Sequence, residues 1–358
     1  MARVLVAMSG GVDSSVAAAL LKERGFEVIG VTMRFWSKEE CDYTRFHERS
    51  CCSLEGIEFA RKAASVLGIP HYVVNASEVF RKFVIQDFVS EYARGRTPNP
   101  CVRCNQFVKF RWLLQYALKL GCEYLATGHY ARIREGRLLM ASDREKDQSY
   151  FLWPIRREDL GRILFPIGDY RKSEVRELAR RLGLPTAERP ESQDICFIPD
   201  GDYASYVAKF SPEALKPGPV YHVDGRLLGR HRGIARYTVG QRLEEVGGLG
   251  ARLYVKEIDA PSATLKVAER YRLFAVGLRG SEANWLVDPP SGWFRAEAAV
   301  RHGPERVRSK VRALEGGQIE VLFFEPIWAP APGQSVVLYD GESVLGGAVI
   351  DEILWERD

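Results

Sequence analysis

Residues 3–15 read RVLVAMSGGVDSS, and this stretch decides the predicted fold. The apolar run 3–8 has the length of a β-strand, and residues 15–25 have the apolar spacing of a helix that ends at a glycine. Between them, Gly10 and Gly11 let the backbone turn sharply and bring its N–H groups near an anion. Serine hydroxyls and the helix N-terminus attract an anion further. The stretch therefore predicts a phosphate-binding loop, although it lacks the Gly-Lys-Ser/Thr ending of a Walker loop.

Outward from this loop, residues 1–205 alternate strand and helix patterns. The sequence predicts strands at 27–33, 71–76 and 123–129 and helices at 54–68 and 109–121. Such alternation predicts an α/β domain with a doubly wound parallel sheet. Because ligands of such sheets bind outside the carboxyl ends of the strands, the predicted loop lies where a ligand is expected.

Beyond residue 205, short strands alternate with Gly, Pro and Asp turns. Residues 336–353 predict a hairpin with an Asp-Gly turn, and 318–325 predict a strand that meets Pro326. We therefore predict three domains. They are the catalytic domain 1–205, a central β-rich domain 206–275 and a C-terminal β-barrel 276–358.

Composition narrows the class of protein. The 358 residues carry a net charge of +4, and 46% are hydrophobic, without an apolar run long enough to span a membrane. The N-terminal apolar run is too short for a signal peptide, so we predict a cytoplasmic protein without membrane association. Five arginines and no acid lie between Arg226 and Arg242, and residues 301–312 hold five Lys or Arg and one Glu. These clusters could bind phosphates or be ordinary solvated faces.

Cysteines are concentrated in the first 200 residues, where all seven lie. Two of them belong to the stretch NPCVRCN, residues 99–105. A zinc site would need a second such pair, which the sequence does not contain. Reduced thiols for chemistry or metal binding are therefore the expectation, with Cys51 and Cys52 read as incidental or structural.

Five further motifs identify a family. In order, they are GRTPNPCVRCNQFVKF (95–110), ATGHYAR (126–132), KDQSYFLW (146–153), SQDICFIPDGDY (192–203) and YTVGQR (237–242). The loop SGGVDSS resembles that of ATP pyrophosphatases, which split ATP into AMP and pyrophosphate to adenylate a carbonyl oxygen. Together with the ordered motifs, it makes the chain resemble the tRNA-specific 2-thiouridylases over nearly its whole length.

The resemblance implies a reaction and its partners. Uracil O2 of the wobble uridine, position 34 of a tRNA, is adenylated and then replaced by sulfur while water is excluded. The implied cofactors are ATP and Mg²⁺, and the products include AMP and pyrophosphate. The implied partners are tRNAs of the Lys, Glu and Gln type and a sulfur donor, either a relay protein or a cysteine desulfurase.

The resemblance also assigns residues. Cys196 is the implied persulfide carrier and Cys104 the nucleophile that resolves it, so the two form a redox-active disulfide, with Asp13 as the third catalytic residue. The implied ATP-binding residues are Ala7, Met8, Ser9, Gly10, Gly11, Val12, Asp13, Ser14, Ser15, Met33 and Gly128. The target base meets Asn99, Pro100 and Cys101. The implied tRNA contacts, some of them in the C-terminal barrel, are His129, Lys146, Asp147, Gln148, Arg301, His302 and Gln334.

Two departures from the family pattern leave alternatives open. Cys101 stands where relatives often have Asp, so Cys101, Cys104 and Cys196 could instead ligate a [4Fe–4S] cluster with one open iron. After Arg242 the chain continues LEEVGG rather than the usual Lys-Gly-Leu, which puts a local tRNA contact in doubt. The rival functions are an amide-forming or lysidine-type ligase, a nucleotide-binding regulator, and a sulfurtransferase for another RNA position.

Overall fold

A computed structural model describes residues 1–36, 54–190, 195–198, 200–243 and 252–356. Cys41, Cys51 and Cys52 lie outside these ranges, as do Gln193 and Asp194 of the motif before Cys196. The chain forms two compact units. The first comprises Met1–Val84, Cys101–Gly201 and Glu342–Val344, and the second Ile85–Pro100, Asp202–Gly341 and Leu345–Asp358.

The first unit is built on a five-stranded sheet of β1 (Arg3–Ala7), β2 (Glu27–Arg34), β3 (His71–Asn75), β4 (Tyr124–Thr127) and β7 (Ile163–Leu164). The strand order is β3-β2-β1-β4-β7, and neighbouring strands pair in parallel. A hairpin of β5 (Ala131–Arg134) and β6 (Arg137–Met140) follows β4. The predicted doubly wound parallel sheet is confirmed. Strands β2 and β3 lie on one side of β1, whereas β4 and β7 lie on the other, so the topological switch point falls between β1 and β4. Ligands of such sheets bind at the carboxyl ends of the strands at this point.

Helices occur in both units. The α-helices are α1 (Val12–Glu23), α2 (Leu54–Leu67), α3 (Ser77–Phe80), α4 (Gln86–Ala93), α5 (Pro100–Arg103), α6 (Leu114–Lys119), α7 (Lys172–Arg181) and α8 (Tyr203–Ala208). Two π-helical segments are Arg81–Ile85 and Cys104–Leu113. Short 3-10 helices lie at Ser149–Phe151, Arg157–Arg162, Pro212–Leu215, Ile234–Arg236, Arg270–Leu273 and Glu315–Gly317. The helix predicted at 109–121 is the C-terminal part of a longer helical segment that runs from Pro100 to Lys119, and the one predicted at 15–25 is observed at Val12–Glu23.

The core of the first unit explains this order. Strand β1 is buried along its centre, and Val16, Ala17 and Ala18 of α1 are fully covered. Small alanines let α1 lie close to the sheet, so its first turn is fixed directly after β1. Among the described residues, no helix has the length and apolar character needed to cross a membrane.

The second unit contains two β structures. A four-stranded sheet of order β10-β11-β8-β9 is formed by β8 (Gly218–His222), β9 (Leu227–His231), β10 (Leu253–Asp259) and β11 (Thr264–Glu269). The second is a six-stranded barrel of β12 (Phe274–Trp285), β13 (Phe294–Ala299), β14 (Val307–Leu314), β15 (Gln318–Trp328), β16 (Ser335–Asp340) and β17 (Ser343–Trp355). The barrel closes because β12 pairs with both β15 and β17. Two β-rich structures after the α/β domain agree with the predicted fold class.

Strand β15 differs in one respect from the sequence pattern, because it continues through Pro326 to Trp328. A proline cannot donate a ladder hydrogen bond. Its pairing with β12 shifts register at this point, between Ala275 and Gly277, so the irregular ladder accommodates Pro326. The predicted hairpin over 336–353 is observed as β16 and β17, which flank Gly341 with φ +57°.

Candidate active site

The loop after β1 is stabilised mainly by its own side chains. Ser9 N–H donates to Ser14 Oγ at 3.2 Å, and the hydroxyls of Ser14 and Ser15 donate to the Gly11 carbonyl at 3.1 and 3.0 Å. Gly10 has φ +75°, a left-handed conformation that favours glycine. These contacts build a tight turn at the N-terminus of α1, where the helix dipole and the N–H groups of a first helical turn suit a phosphate.

Asp13 lies in the first turn of α1 and is joined to two distant residues. Lys172 Nζ, at the start of α7, donates to both Asp13 carboxylate oxygens at 2.8 Å, and Tyr130 Oη donates to Oδ1 at 2.8 Å. Both side chains are largely buried, with 12% of Lys172 and 30% of Asp13 exposed. The ammonium group therefore neutralises a carboxylate that would otherwise repel phosphate at this loop.

Lys172 is a residue that the sequence interpretation missed. It occupies the first position of an ordinary amphipathic helix, in the stretch RKSEVRELARR, and no motif marks it. Only the folded structure shows that it reaches a residue 159 positions earlier. Its position beside Asp13 makes it part of the candidate site.

Arg189 also contacts the loop. Its guanidinium donates to the Gly10 carbonyl at 2.9 Å and to Glu55 at 3.1 Å, and it lies 4.9 Å from the centre of the Phe59 ring. A Cβ on Gly10 would lie 2.1 Å from the Gly56 carbonyl oxygen, so no larger residue fits there. Gly10 is therefore required both for its conformation and for the close approach of α2.

The other predicted ATP-binding residues lie at neighbouring strand ends. Ala7 ends β1, Met8 is buried beside it, and Met33 lies near the end of β2 with 9% of its surface exposed. Thr32 Oγ1 donates to the Met8 carbonyl at 2.7 Å, which ties the two strand ends together. Gly128 follows β4, and its missing Cβ leaves room for the backbone of Asp13 and Ser14, at 2.7 and 2.6 Å. The structure thus places Gly128 against the first turn of α1.

His129 follows Gly128 and is enclosed by aromatic rings. Its ring centre lies 5.8 Å from that of Phe110 and 5.9 Å from that of Phe165. Burial, and secondarily the charge of Lys109, hold the pKa of His129 well below its usual value of 6.5, so the imidazole is neutral. Because Lys109 Nζ can only donate to Nε2, at 3.3 Å, the proton resides on Nδ1 and is donated to Thr127 Oγ1 at 2.7 Å.

The thiols of the predicted mechanism all lie in the first unit. Cys104 is buried at the start of a π-helical segment, Cys101 is exposed on α5, and Cys196 is half-buried. The neighbouring Asn105 is fixed by a 2.9 Å hydrogen bond from Nδ2 to the Phe151 carbonyl. π-Helical turns frequently occur at functional sites, which agrees with a role for Cys104.

Among the described residues, no group of three His, Cys, Asp or Glu side chains is arranged to hold a metal ion. Cys101, Cys104 and Cys196 therefore do not form such a ligand group. Asp13 remains as a single carboxylate, which suits Mg²⁺ only where phosphate oxygens and water complete the coordination.

The stretch Lys146–Asp147–Gln148 is mostly used for internal hydrogen bonds. Asp147 Oδ1 accepts from Ala141 N–H at 2.8 Å, and Oδ2 accepts from the Ser149 hydroxyl at 2.7 Å. Gln148 pairs with Tyr130 through its side chain and its backbone N–H, at 2.9 and 2.8 Å. Asp147 and Gln148 therefore shape the turn, and their predicted contact with tRNA stays a prediction.

The remaining predicted residues lie in the second unit. Arg301 donates to the Trp328 and Ala329 carbonyls at 2.6 and 3.1 Å, and His302 beside it is exposed. Gln334 donates to the carbonyls of residues 97 and 98, directly before Asn99 and Pro100. Asn99 is half-buried and Pro100 is buried as the first residue of α5.

The chain is similar to known proteins over nearly its whole length. Family models described as the tRNA methyl transferase HUP domain, the tRNA methyl transferase PRC-barrel domain and the aminomethyltransferase β-barrel domain match residues 2–200, 204–269 and 276–350. The chain is 45% identical to the tRNA-specific 2-thiouridylase MnmA of Roseiflexus sp. (strain RS-1), covering 98% of this chain and 99% of that protein. It is 46% identical to the protein of the same name from Geobacter metallireducens, covering 99% and 98%.

A solved structure is also similar in part. A 4-thiouridine synthetase in complex with RNA and ATP matches 59% of this chain and 51% of its own, with 17% identity and a TM-score of 0.37. This similarity extends over little more than half of each chain, whereas the two 2-thiouridylases are similar over at least 98% of theirs.

Proposed function

The chain belongs to the tRNA-specific 2-thiouridylase family, and from this premise we propose that it catalyses the ATP-dependent 2-thiolation of the wobble uridine, position 34 of tRNA. The enzyme is thus a tRNA-uridine 2-sulfurtransferase. One structural observation carries the proposal. The phosphate loop, with its Lys172-neutralised Asp13, lies in the same compact unit as the buried Cys104 and the half-buried Cys196.

In the first step, uracil O2 attacks the α-phosphorus of ATP, and pyrophosphate leaves with the electron pair of the broken P–O bond. The phosphate loop would bind the polyphosphate through its N–H groups and serine hydroxyls. Mg²⁺, when bound with ATP, would neutralise phosphate charge, and Asp13 is the carboxylate that the loop offers to it. Lys172 would then be released from Asp13 towards the developing pyrophosphate charge.

In the second step, the outer sulfur of a Cys196 persulfide attacks C2, and AMP leaves with the former O2. Cys104, as a thiolate, then attacks the Cys196 sulfur and releases the thiocarbonyl, which leaves a Cys104–Cys196 disulfide. A sulfur-donor protein, whether a relay protein or a cysteine desulfurase, must supply the persulfide, and a dithiol reductant must regenerate both thiols.

The arrangement of Cys101, Cys104 and Cys196 does not support the alternative with a [4Fe–4S] cluster. Substrates in the proposal are tRNAs of the Lys, Glu and Gln type, so the enzyme would act in the cytoplasm, where tRNA and ATP are found. The names of two of the matching family models refer to methyl transfer, whereas a pair of thiols fits sulfur transfer.

The test is to incubate the protein with ATP, Mg²⁺, tRNA and a persulfide donor, and to measure AMP, pyrophosphate and thiolated uridine. Cys104→Ser and Cys196→Ser should abolish thiolation, whereas Cys101→Ser should retain it. Loss of thiolation in Cys101→Ser, together with iron in anaerobically purified protein, would favour the cluster instead. A product without sulfur in the wild-type reaction would overturn the proposed function itself.

A further inference from the structure

Residues 96–98 precede the predicted target-base stretch (Asn99, Pro100 and Cys101) and are held by residues far away in the sequence. Thr97 N–H donates to the Pro332 carbonyl at 2.8 Å, and Gln334 Nε2 donates to the Thr97 carbonyl at 2.9 Å. The same nitrogen donates to the Pro98 carbonyl at 3.2 Å. All these residues belong to the second unit, and 237 positions separate Gln334 from Thr97.

The side-chain nitrogen of Gln334 lies within hydrogen-bonding distance of two adjacent backbone carbonyls. A glutamine amide carries its two N–H donors on this nitrogen. A hydrogen bond from Nε2 to an RNA phosphate or base acceptor would therefore compete with these backbone contacts.

The backbone of Gln334 is itself fixed. Its N–H donates to the Ala331 carbonyl at 3.2 Å, and its carbonyl accepts from Ile350 N–H at 2.8 Å. Gly333 beside it has φ +90°, and a Cβ there would lie 2.9 Å from Thr97 N and O. The turn 331–334 is therefore held by its own backbone hydrogen bonds and packs directly against the Thr97 backbone.

Other residues of the second unit restrain the same segment. Arg96 pairs with Glu91 at 2.6 Å and with Asp351 at 2.8 Å, and it donates to the Ile350 carbonyl at 3.2 Å. Thr97 Oγ1 donates to Thr238 Oγ1, in the YTVGQR motif, at 3.3 Å. The segment is thus fixed on several sides immediately before residue 98.

We propose that Gln334 is a positioning residue, which holds the target-base stretch through the carbonyls of Thr97 and Pro98. The rings of Pro98 and Pro100 fix φ at these two positions, which limits how far Asn99 can move once residue 97 is held. This inference deepens the proposed function, because it assigns how the base-contacting stretch is kept in place. In this role, Gln334 affects the rate of thiolation in the tRNA-bound enzyme and not the affinity for tRNA.

The first experiment measures Gln334→Ala by single-turnover thiolation at saturating ATP and tRNA, and by tRNA binding. We expect the saturated rate to fall about 10-fold, because a small displacement of a reacting group costs this much or more, with Kd changed less than about twofold. A direct RNA contact would instead raise Kd and leave the saturated rate unchanged. That result overturns the proposal, and so does an unchanged rate.

The second variant, Gly333→Ala, retains the Gln334 side chain but places a methyl group against the Thr97 backbone. Its matched control is Gly225→Ala, because Gly225 has a similar φ of +94° but no atom within 4 Å of its Cβ position. We expect Gly333→Ala to lower the saturated rate and to leave the Kd for tRNA unchanged. Gly225→Ala should change neither the saturated rate nor the Kd. Equal rates in the two glycine variants would contradict the proposal.

A third measurement does not depend on thiolation. Hydrogen exchange of the Thr97 amide should accelerate in Gln334→Ala, while the amides of α1 in the first unit keep their protection. Unchanged protection at Thr97 overturns the positioning role whatever the enzyme's activity is. If the wild-type protein fails to thiolate tRNA, the proposed function fails, yet the exchange result still decides whether Gln334 holds the segment.

Discussion

In the phosphate loop of the first unit, the hydrogen bonds among Ser9, Gly11, Ser14 and Ser15 join residues two to five positions apart. In the second unit, Thr97 is held by contacts with residues 141 and 237 positions away. A loop of the first kind adopts its shape as soon as β1 and α1 form. A segment of the second kind is ordered only when the barrel and the central sheet are complete. Mutations near each region should therefore act in different ways.

The largest expected effect tests the local chemistry of the phosphate loop. Asp13→Ala removes the carboxylate that Lys172 and Tyr130 contact and that the proposal gives to Mg²⁺. AMP and pyrophosphate formation should fall at least about 100-fold, since a preorganised charged group is lost, while tRNA binding changes little. The control is Glu23→Ala, at the exposed end of the same helix. Normal AMP release in Asp13→Ala would refute the assignment of the loop.

Lys172→Met tests whether the phosphate loop also depends on a residue that is distant in sequence. The neutral side chain leaves Asp13 without its ammonium partner, so we expect AMP formation to fall about 10- to 100-fold. Lys172→Arg keeps the charge and should restore part of the rate. Lys119→Met, at the exposed C-terminus of α6, is the matched control. A wild-type rate in Lys172→Met would show that the loop is self-sufficient.

Gly10→Ala separates backbone conformation from close packing. Its control is Gly121→Ala, because Gly121 has φ +74°, against +75° for Gly10, but its Cβ position is 3.6 Å from the nearest atom. Both variants should lose about 1–2 kcal/mol of unfolding free energy through the left-handed backbone. Gly10→Ala should lose about 1–3 kcal/mol more, because its methyl group meets the Gly56 carbonyl. Urea unfolding measures the difference, and equal losses would contradict the structure.

How much the sequence predicts follows the same division. The strand, glycine turn and helix around SGGVDSS are local patterns, so the parallel sheet and the position of the loop could be predicted. Lys172 and Arg189 could not, because an ordinary helix start and a single loop arginine carry no signal of a partner more than 100 positions away. The contact between Gln334 and Thr97 was missed for the same reason: it exists only after the barrel has closed.

Arg301 provides a smaller effect in the second unit. Its guanidinium is held by the Trp328 and Ala329 carbonyls and lies 5.8 Å from the Trp328 ring centre, so it is a fixed positive charge. If it contacts a tRNA phosphate, Arg301→Ala should reduce the slope of log K against log salt by about 1, through one fewer released counterion. Arg279→Ala, in an ion pair with Glu320, is the control. An unchanged slope for Arg301→Ala would remove this residue from the tRNA surface.

The smallest expected effect concerns His129, whose two ring nitrogens contact one local and one more distant residue, Thr127 and Lys109. Because burial holds its pKa well below 6.5 in the folded protein, the unfolded chain binds a proton at mildly acidic pH that the folded chain does not. The free energy of unfolding should therefore fall as the pH is lowered through about 6.5, by up to about 1.4 kcal/mol per pH unit. His129→Gln should flatten this dependence, measured by urea unfolding between about pH 7.5 and 5.5, and the slope that remains belongs to the other titrating groups. An unaltered pH dependence in His129→Gln would mean that the imidazole is charged in the fold, and the neutral tautomer assigned from Lys109 would be wrong.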